Sequence, residues 1–158
     1  MKRIAILLFF ISVVFSRAFA DIGDTPQQCQ ERYGAPTKVG KSFTYYQDTV
    51  SGYKVAVSFY EGKVDSITYN PIKELVGRIP DSEIEKLLNI NAGGRKWKKT
   101  SDQYDITETK WQTEDGELVA AYAISFFRVT VATKGFNERS PDGRKAEDLG
   151  EFFFDLEN

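Results

Sequence analysis

Residues 23–37, Gly-Asp-Thr-Pro-Gln-Gln-Cys-Gln-Glu-Arg-Tyr-Gly-Ala-Pro-Thr, limit what this chain can fold into more than any other stretch. Thr25 is a helix-cap residue, and Pro26 suits a first helical turn. Gln28 completes a Thr-x-x-Gln box, in which the cap and the third residue satisfy each other's backbone N–H groups. Gly34 suits the left-handed conformation that closes a helix, and Pro36 forbids continuation. The spacing predicts a helix of about two turns, with Cys29 and Tyr33 on one face. So short a helix is marginal in water and must be held by packing. The residues that follow read mainly as strand.

Phe43–Gln47 is rich in aromatics, and Asp48–Gly52 is a turn cluster. Tyr53, Val55, Val57 and Phe59 then alternate with Lys54, Ala56, Ser58 and Tyr60, the period of a strand with one more apolar face. Glu61-Gly62 returns the chain into Lys63–Asn70. A two-residue loop would pair Phe59 with Val64 and put Ile67 and Tyr69 on the face opposite Val55 and Val57. A three-residue loop, Tyr60 to Gly62, pairs Val55 with Ile67 and Tyr53 with Tyr69, at the cost of leaving Val64 outside. A one-residue slip inverts a strand's faces, so burial predicts the three-residue loop. Residues 71–80 read as a connector. Ser82 and Glu85 suggest a second capping box, and Ile84, Leu87 and Leu88 give a helical stripe that Asn91–Gly94 ends. Strand signals return at Arg95–Thr100 and Thr107–Thr113, followed by Asp115-Gly116, a strong hairpin turn. Leu118–Thr133 reads as one long strand, apolar on both faces. It is either central and covered on both sides or switches face at a bulge near Ser125–Phe127.

Two such halves suggest an α+β fold: an antiparallel sheet with two short helices on one face, built from two tandem αβββ repeats at about 23–70 and 80–134. Their helix starts are about 57 residues apart. A single irregular α+β domain is the alternative. The pattern Gly-x-Thr-x6-7-(Tyr/Leu)-Gly-x-Pro, followed by a hairpin with a Gly-Lys-Val turn, is carried here by Gly23, Thr25, Gly34, Pro36 and Gly62-Lys63-Val64. Over about residues 23–69 it resembles the small secreted module shared by BamE, a lipoprotein of the outer-membrane barrel-assembly machine, and the β-lactamase-inhibitor proteins. The second half matches in plan only. The resemblance implies a non-catalytic role, binding proteins or supporting assemblies at the cell envelope. The chain lacks the lipobox cysteine of the barrel-assembly protein and offers no inhibitor-specific contact residues.

The N-terminus explains where such a module would work. Lys2 and Arg3 precede a twelve-residue apolar run, Ile4–Phe15, too short for the roughly 20 residues a membrane span needs. Ala18-Phe19-Ala20 is a signal-peptidase pattern, so residues 1–20 read as a secretory signal and the protein as secreted or periplasmic. An uncleaved anchor is the alternative, because Arg17 is unusual so near a cleavage site. Beyond residue 20, 138 residues carry 18 basic and 23 acidic side chains, a net charge of about −5, on a length that suits one domain, 21–134. An acidic chain without a basic stripe argues against nucleic acid as a partner. Cys29, the single cysteine, has no internal disulfide partner and reads as a small buried residue, with an intermolecular disulfide or a reactive thiol as the alternatives. Residues 135–158 read as a flexible acidic tail around Phe152-Phe153-Phe154. These rings dock back on the domain, bind a partner, or stay disordered.

The chain has no histidine, which removes Ser-His-Asp and Cys-His catalysis and ordinary zinc sites. Three carboxylate pairs, Asp102/Asp105, Glu114/Asp115 and Asp81/Glu83, lie at turns and helix starts, where acids are expected for capping and solubility. The expectation is a non-enzyme without cofactor or metal. Its partner is expected to be another envelope or secreted protein, and any membrane contact only peripheral. Arg95-Lys96-Trp97-Lys98-Lys99 is a cationic patch with an embedded indole, suited to anionic headgroups, lipopolysaccharide or an acidic partner. Equally, it is an edge strand guarded by lysines with Trp97 pointing inward. Tyr46, Tyr60 and Trp111 are candidate anchors on an outer aromatic face, where a lipid or glycan is the alternative ligand to a protein. The candidate binding residues are therefore Tyr46, Tyr60, Trp97, Lys98 and Trp111.

Overall fold

A computed structural model describes residues 22–72, 78–101 and 107–139. The expected signal segment, Asp102 and Asp105, and the phenylalanines at 152–154 lie outside these. The described chain is α+β, with one antiparallel eight-stranded sheet and three short helices. In chain order it runs α1 (Pro26–Tyr33), β1 (Lys38–Val39), β2 (Thr44–Asp48), β3 (Tyr53–Tyr60), β4 (Lys63–Pro71), α2 (Asp81–Asn91), β5 (Trp97–Lys99), β6 (Glu108–Thr113), β7 (Leu118–Ala123), β8 (Arg128–Thr133) and α3 (Lys134–Arg139). The order across the sheet is β1-β2-β3-β4-β8-β7-β6-β5. One helix and four strands precede residue 72, and α2, four strands and the terminal α3 follow it. The two sets meet where β4 pairs antiparallel with β8.

The first helix forms as its punctuation dictates. The Thr25 backbone N–H donates to Gln28 Oε1 at 2.8 Å, the Gln28 N–H donates to Thr25 Oγ1 at 3.3 Å, and Gly34 closes the helix at φ 83°. The second capping box does not form. Pro80 is the cap residue of α2, and its carbonyl takes the N–H groups of Glu83 and Ile84, so the Ser82 side chain has no capping role. The β6–β7 hairpin turns at Asp115-Gly116 as expected, with Gly116 at φ 77°.

Cys29 and Tyr33 of α1 and Ile84, Leu87 and Leu88 of α2 share one cluster with the sheet residues Val55, Val57, Ile67, Tyr69, Tyr122, Val129 and Val131. Both helices thus cover the same, inner, face. Some polar groups inside this layer are paired, whereas Asn91 Oδ1 has no hydrogen-bond partner among the described residues. Asn91 Nδ2 donates to Tyr69 Oη at 3.0 Å, and the buried Ile79 N–H donates to Tyr122 Oη at 2.9 Å. Tyr122→Phe orphans that Ile79 donor, so it is expected to lower stability by about 1–3 kcal/mol in a urea titration. A loss below a few tenths of a kcal/mol would mean the Ile79 N–H finds another acceptor.

Three expectations need correction. The β3–β4 connection is a two-residue turn, not a three-residue one: Tyr60 pairs with Lys63 and Phe59 with Val64, and both Glu61 (φ 51°) and Gly62 (φ 73°) are left-handed. The ladder then shifts by one, because Asp65 is an extra residue bulged out of β4. Val55 faces Tyr69, and Val57 faces Ile67. The bulge puts Val64, Ile67 and Tyr69 all on the inner face, which no unbroken register can do. Second, residues 118–133 are two strands. A single 3-10 turn, Ile124–Phe126, with Phe127 left-handed, folds β7 back on β8, so each apolar pattern belongs to a separate strand in the sheet's centre. Third, the segment from residue 135 begins as helix. Phe136 of α3 is buried on the outer face with Phe43, Tyr45, Ala56 and Ala132. Apolar burial there holds a six-residue helix that its own propensity would not.

Candidate functional site

The outer face lies opposite α1 and α2, and its surface follows from the alternation of the strands. Its central residues are small: Ala121 and Ala123 on β7, Thr130 and Ala132 on β8, Ser66 and Thr68 on β4. Small side chains in mid-sheet make a trough. Phe43, Phe126 and Phe136 stand around it, enclosing a hollow of about 250 Å³, with Glu108 and Arg128 at its rim. Beyond Phe136 lies a second hollow of about 330 Å³, bordered by Lys110, Gln112, Val119 and Asn137. On the floor, the Thr68 and Thr130 hydroxyl oxygens are 3.0 Å apart, one donating to the other. The accepting hydroxyl keeps its own proton, a donor that a polar group lying over the floor can meet.

The trough ends at the β7–β8 turn, where the backbone is strained. Phe127 holds φ 47°, ψ 41°, a conformation bulky residues rarely adopt. The Ile124 N–H donates to Thr107 at 3.0 Å and the Phe127 N–H to Ile124 at 3.3 Å, which fixes the turn. Two rings are thereby held in solvent, Phe126 at 55% and Phe127 at 37% exposure, with the Arg128 guanidinium 4.6 Å from the Phe126 ring centroid. Phe127→Gly is expected to be more stable than Phe127→Val by about 1–2 kcal/mol, since only glycine adopts this conformation freely. Equal urea midpoints for the two variants would show that the turn does not hold residue 127 there.

The sequence-predicted residues fall in different places. Tyr46 is a correction: it lies on the inner face, buried under α1, with its ring centroid 5.4 Å from that of Tyr33. Burial, and secondarily the nearby Cys29, pushes its phenol pKa up. Trp111 is a second correction, since its ring packs half-buried against the inner core. Both moved for one reason: each sits opposite an inner-facing residue, Tyr46 across from Val55 and Trp111 across from Ala120. Trp97 also turns inward, and its indole Nε1 donates to the Leu88 carbonyl at 2.8 Å. Its strand, β5, is the sheet's edge, so the lysine-guarded edge is the reading the structure shows there. Lys98 is exposed and, paired with Gln112, faces outward. Tyr60 is outward and 45% exposed, with the Arg139 guanidinium stacked 3.6 Å from its centroid. The same Arg139 donates to the bulged, buried Asp65 at 2.6 Å, which fastens the end of α3 to the sheet.

Sequence reasoning missed Phe43, Phe126, Phe136 and the threonine floor. The one available signal was the change of face near Ser125–Phe127, which marked a turn.

Glu108 is the one carboxylate bordering these two hollows among the described residues, and it is paired with Lys110 at 2.9 Å. Asp115 is occupied by its turn. Hydrogen bonds from the Thr113 hydroxyl and the Glu117 N–H, then from Arg95, hold its carboxyl below the ordinary value. Asp81 and Glu83 lie in the first turn of α2. Among the described residues, no group of His, Cys, Asp and Glu is placed to hold a metal, and no helix is long and apolar enough to cross a membrane.

No family model matches the chain, and no curated protein does. Among solved structures it is similar to a cysteine-rich secretory protein from Staphylococcus aureus, at 14% identity and a TM-score of 0.43, over 73% of this chain and 46% of that one. It is also similar to an extracellular protein containing an SCP domain from Bacillus anthracis, at 10% identity and a TM-score of 0.43, over 89% of this chain and 52% of that one. The chain thus spans about half the length of each, and both of those proteins are described as secreted or extracellular.

Proposed function

We propose that this chain is a non-catalytic binding module of the cell envelope or the secreted space, and that it takes an apolar, aromatic-bearing segment of another envelope or secreted protein into its outer-face trough. The observation that carries this reading is the trough itself: a floor of small side chains ringed by Phe43, Phe126 and Phe136, with Phe126 held in solvent by a strained turn. Secretion follows from the apolar run and Ala18-Phe19-Ala20. The mirrored strand order supports a finer proposal, that the two halves are copies of one helix-plus-four-strand unit rather than of the αβββ unit expected. The motif Gly23–Pro36 with Gly62-Lys63-Val64 keeps its resemblance to the BamE and inhibitor module as an expectation of the same kind of role.

A second reading is favoured by Ser66, Thr68 and Thr130. A hydroxyl-bearing floor beneath aromatic rings also suits a glycan or the headgroup of a lipid. Capture from an envelope extract separates the two. Wild type is expected to retain a defined protein that Phe126→Ser and Ala121→Arg each lose by at least about tenfold, the cost of one interface anchor. If both variants capture that protein as well as wild type does, the trough is not its site. Loss of glycan or lipid binding instead would favour the second reading.

A further inference from the structure

The trough has a candidate occupant within the chain. The end of α3 lies at the outer face, with Phe136 seated between the two hollows and Arg139 fastened to Asp65 and Tyr60. Nineteen residues follow Arg139, outside the described residues, and they contain Glu151-Phe152-Phe153-Phe154-Asp155-Leu156. We infer that this Phe152–Leu156 segment docks into the outer-face trough and occupies it until a partner's aromatic segment displaces it. The inference rests on the reading of the trough as a binding surface and names its resident ligand.

Three observations support it. The first is reach. Phe152 is 13 residues beyond Arg139, and a random coil of that length spans about 20 Å root-mean-square. The trough from Ala132 to Arg128 covers four residues of strand, about 14 Å. Tethering at that length sets an effective concentration on the order of millimolar, so weak docking suffices. The second is shape. In an extended segment Phe152, Phe154 and Leu156 share one side, and Ala121, Ala123, Thr68 and Thr130 leave the room that three such side chains fill. The third is charge. Residues 147–158 carry five acids and no Lys or Arg. The outer face of β5–β8 presents Lys98, Lys110 and Arg128 against Glu108, an excess of positive charge beside the trough.

The test uses the full chain with a nitroxide at Asp155→Cys, in a Cys29→Ala background, read by amide relaxation. The expected result is broadening centred on Thr68, Ala121, Ala123 and Thr130 and their strand neighbours, with little effect on the amides of α1 beyond the inner face. The broadening should be lost when Phe152, Phe153 and Phe154 are all changed to serine, a variant that leaves the sheet untouched. Broadening that is absent, spread evenly over the surface, or unchanged by the triple serine variant overturns the inference. The triple variant should also raise capture of the envelope partner, because the competitor is gone. If Phe126→Ser abolishes capture while the label never reaches the trough, the binding surface stands and the resident segment falls. If the label reaches the trough but capture ignores Phe126, the segment stands and the partner reading falls.

Discussion

Ile67→Ala is expected to destabilise the protein by about 2–5 kcal/mol, the range for emptying a fully buried branched side chain. Ile67 is fully buried in β4, facing Val57 on one neighbouring strand and Val131 on the other. It therefore sits on the seam where the strands before residue 72 meet those after it. Truncation removes contacts to both sides at once, and neighbours fixed in a continuous sheet cannot close the gap. Urea unfolding followed by tryptophan fluorescence measures the loss. Trp97 and Trp111 both report from β5 and β6, so a helical signal that includes α1 should be followed in parallel. Coincident transitions are expected, because the inner core joins α1, α2 and both sets of strands. A loss below about 1 kcal/mol would show that the seam is loosely packed.

The second large effect concerns Cys29. Burial, reinforced by the Asp24 carboxylate, pushes its thiol pKa from 9.0 up to about 12. At pH 8 the thiolate is then roughly a thousandfold scarcer in the folded protein than in the unfolded chain. Labelling by a thiol reagent is expected to be slower by at least about that factor in buffer than in denaturant, since thiolate is the reacting species. Comparable rates would place Cys29 at the surface and revive a reactive thiol. The sign for stability follows from the same shift. Below pH 9 both states keep the proton and the contribution is complete. Between about 9 and 12 the unfolded chain releases its proton first, so stability falls as pH rises. Cys29→Ala should flatten that decline.

The sequence by itself determined the features that neighbouring residues decide. The cap, box and stop of Thr25–Pro36, the Asp115-Gly116 hairpin and the period of Tyr53–Phe59 all depend on local backbone preference or on strict alternation. So does the α+β class, since short stripes and alternating runs leave few alternatives. Tertiary structure decided everything that depended on which face is buried. No local signal announces the Asp65 bulge; it exists because Val64 and Ile67 both gain by reaching the inner core. None announces a left-handed Phe127 either, because that turn contains no Gly, Asn or Pro and is imposed by the pairing of β7 with β8. Tyr46 and Trp111 went under the helices, and Tyr60 stayed out, by register alone. The trough is likewise a product of assembly. Its small residues come from three strands and its rings from three further segments, so their shared surface appears only once β4 and β8 have met.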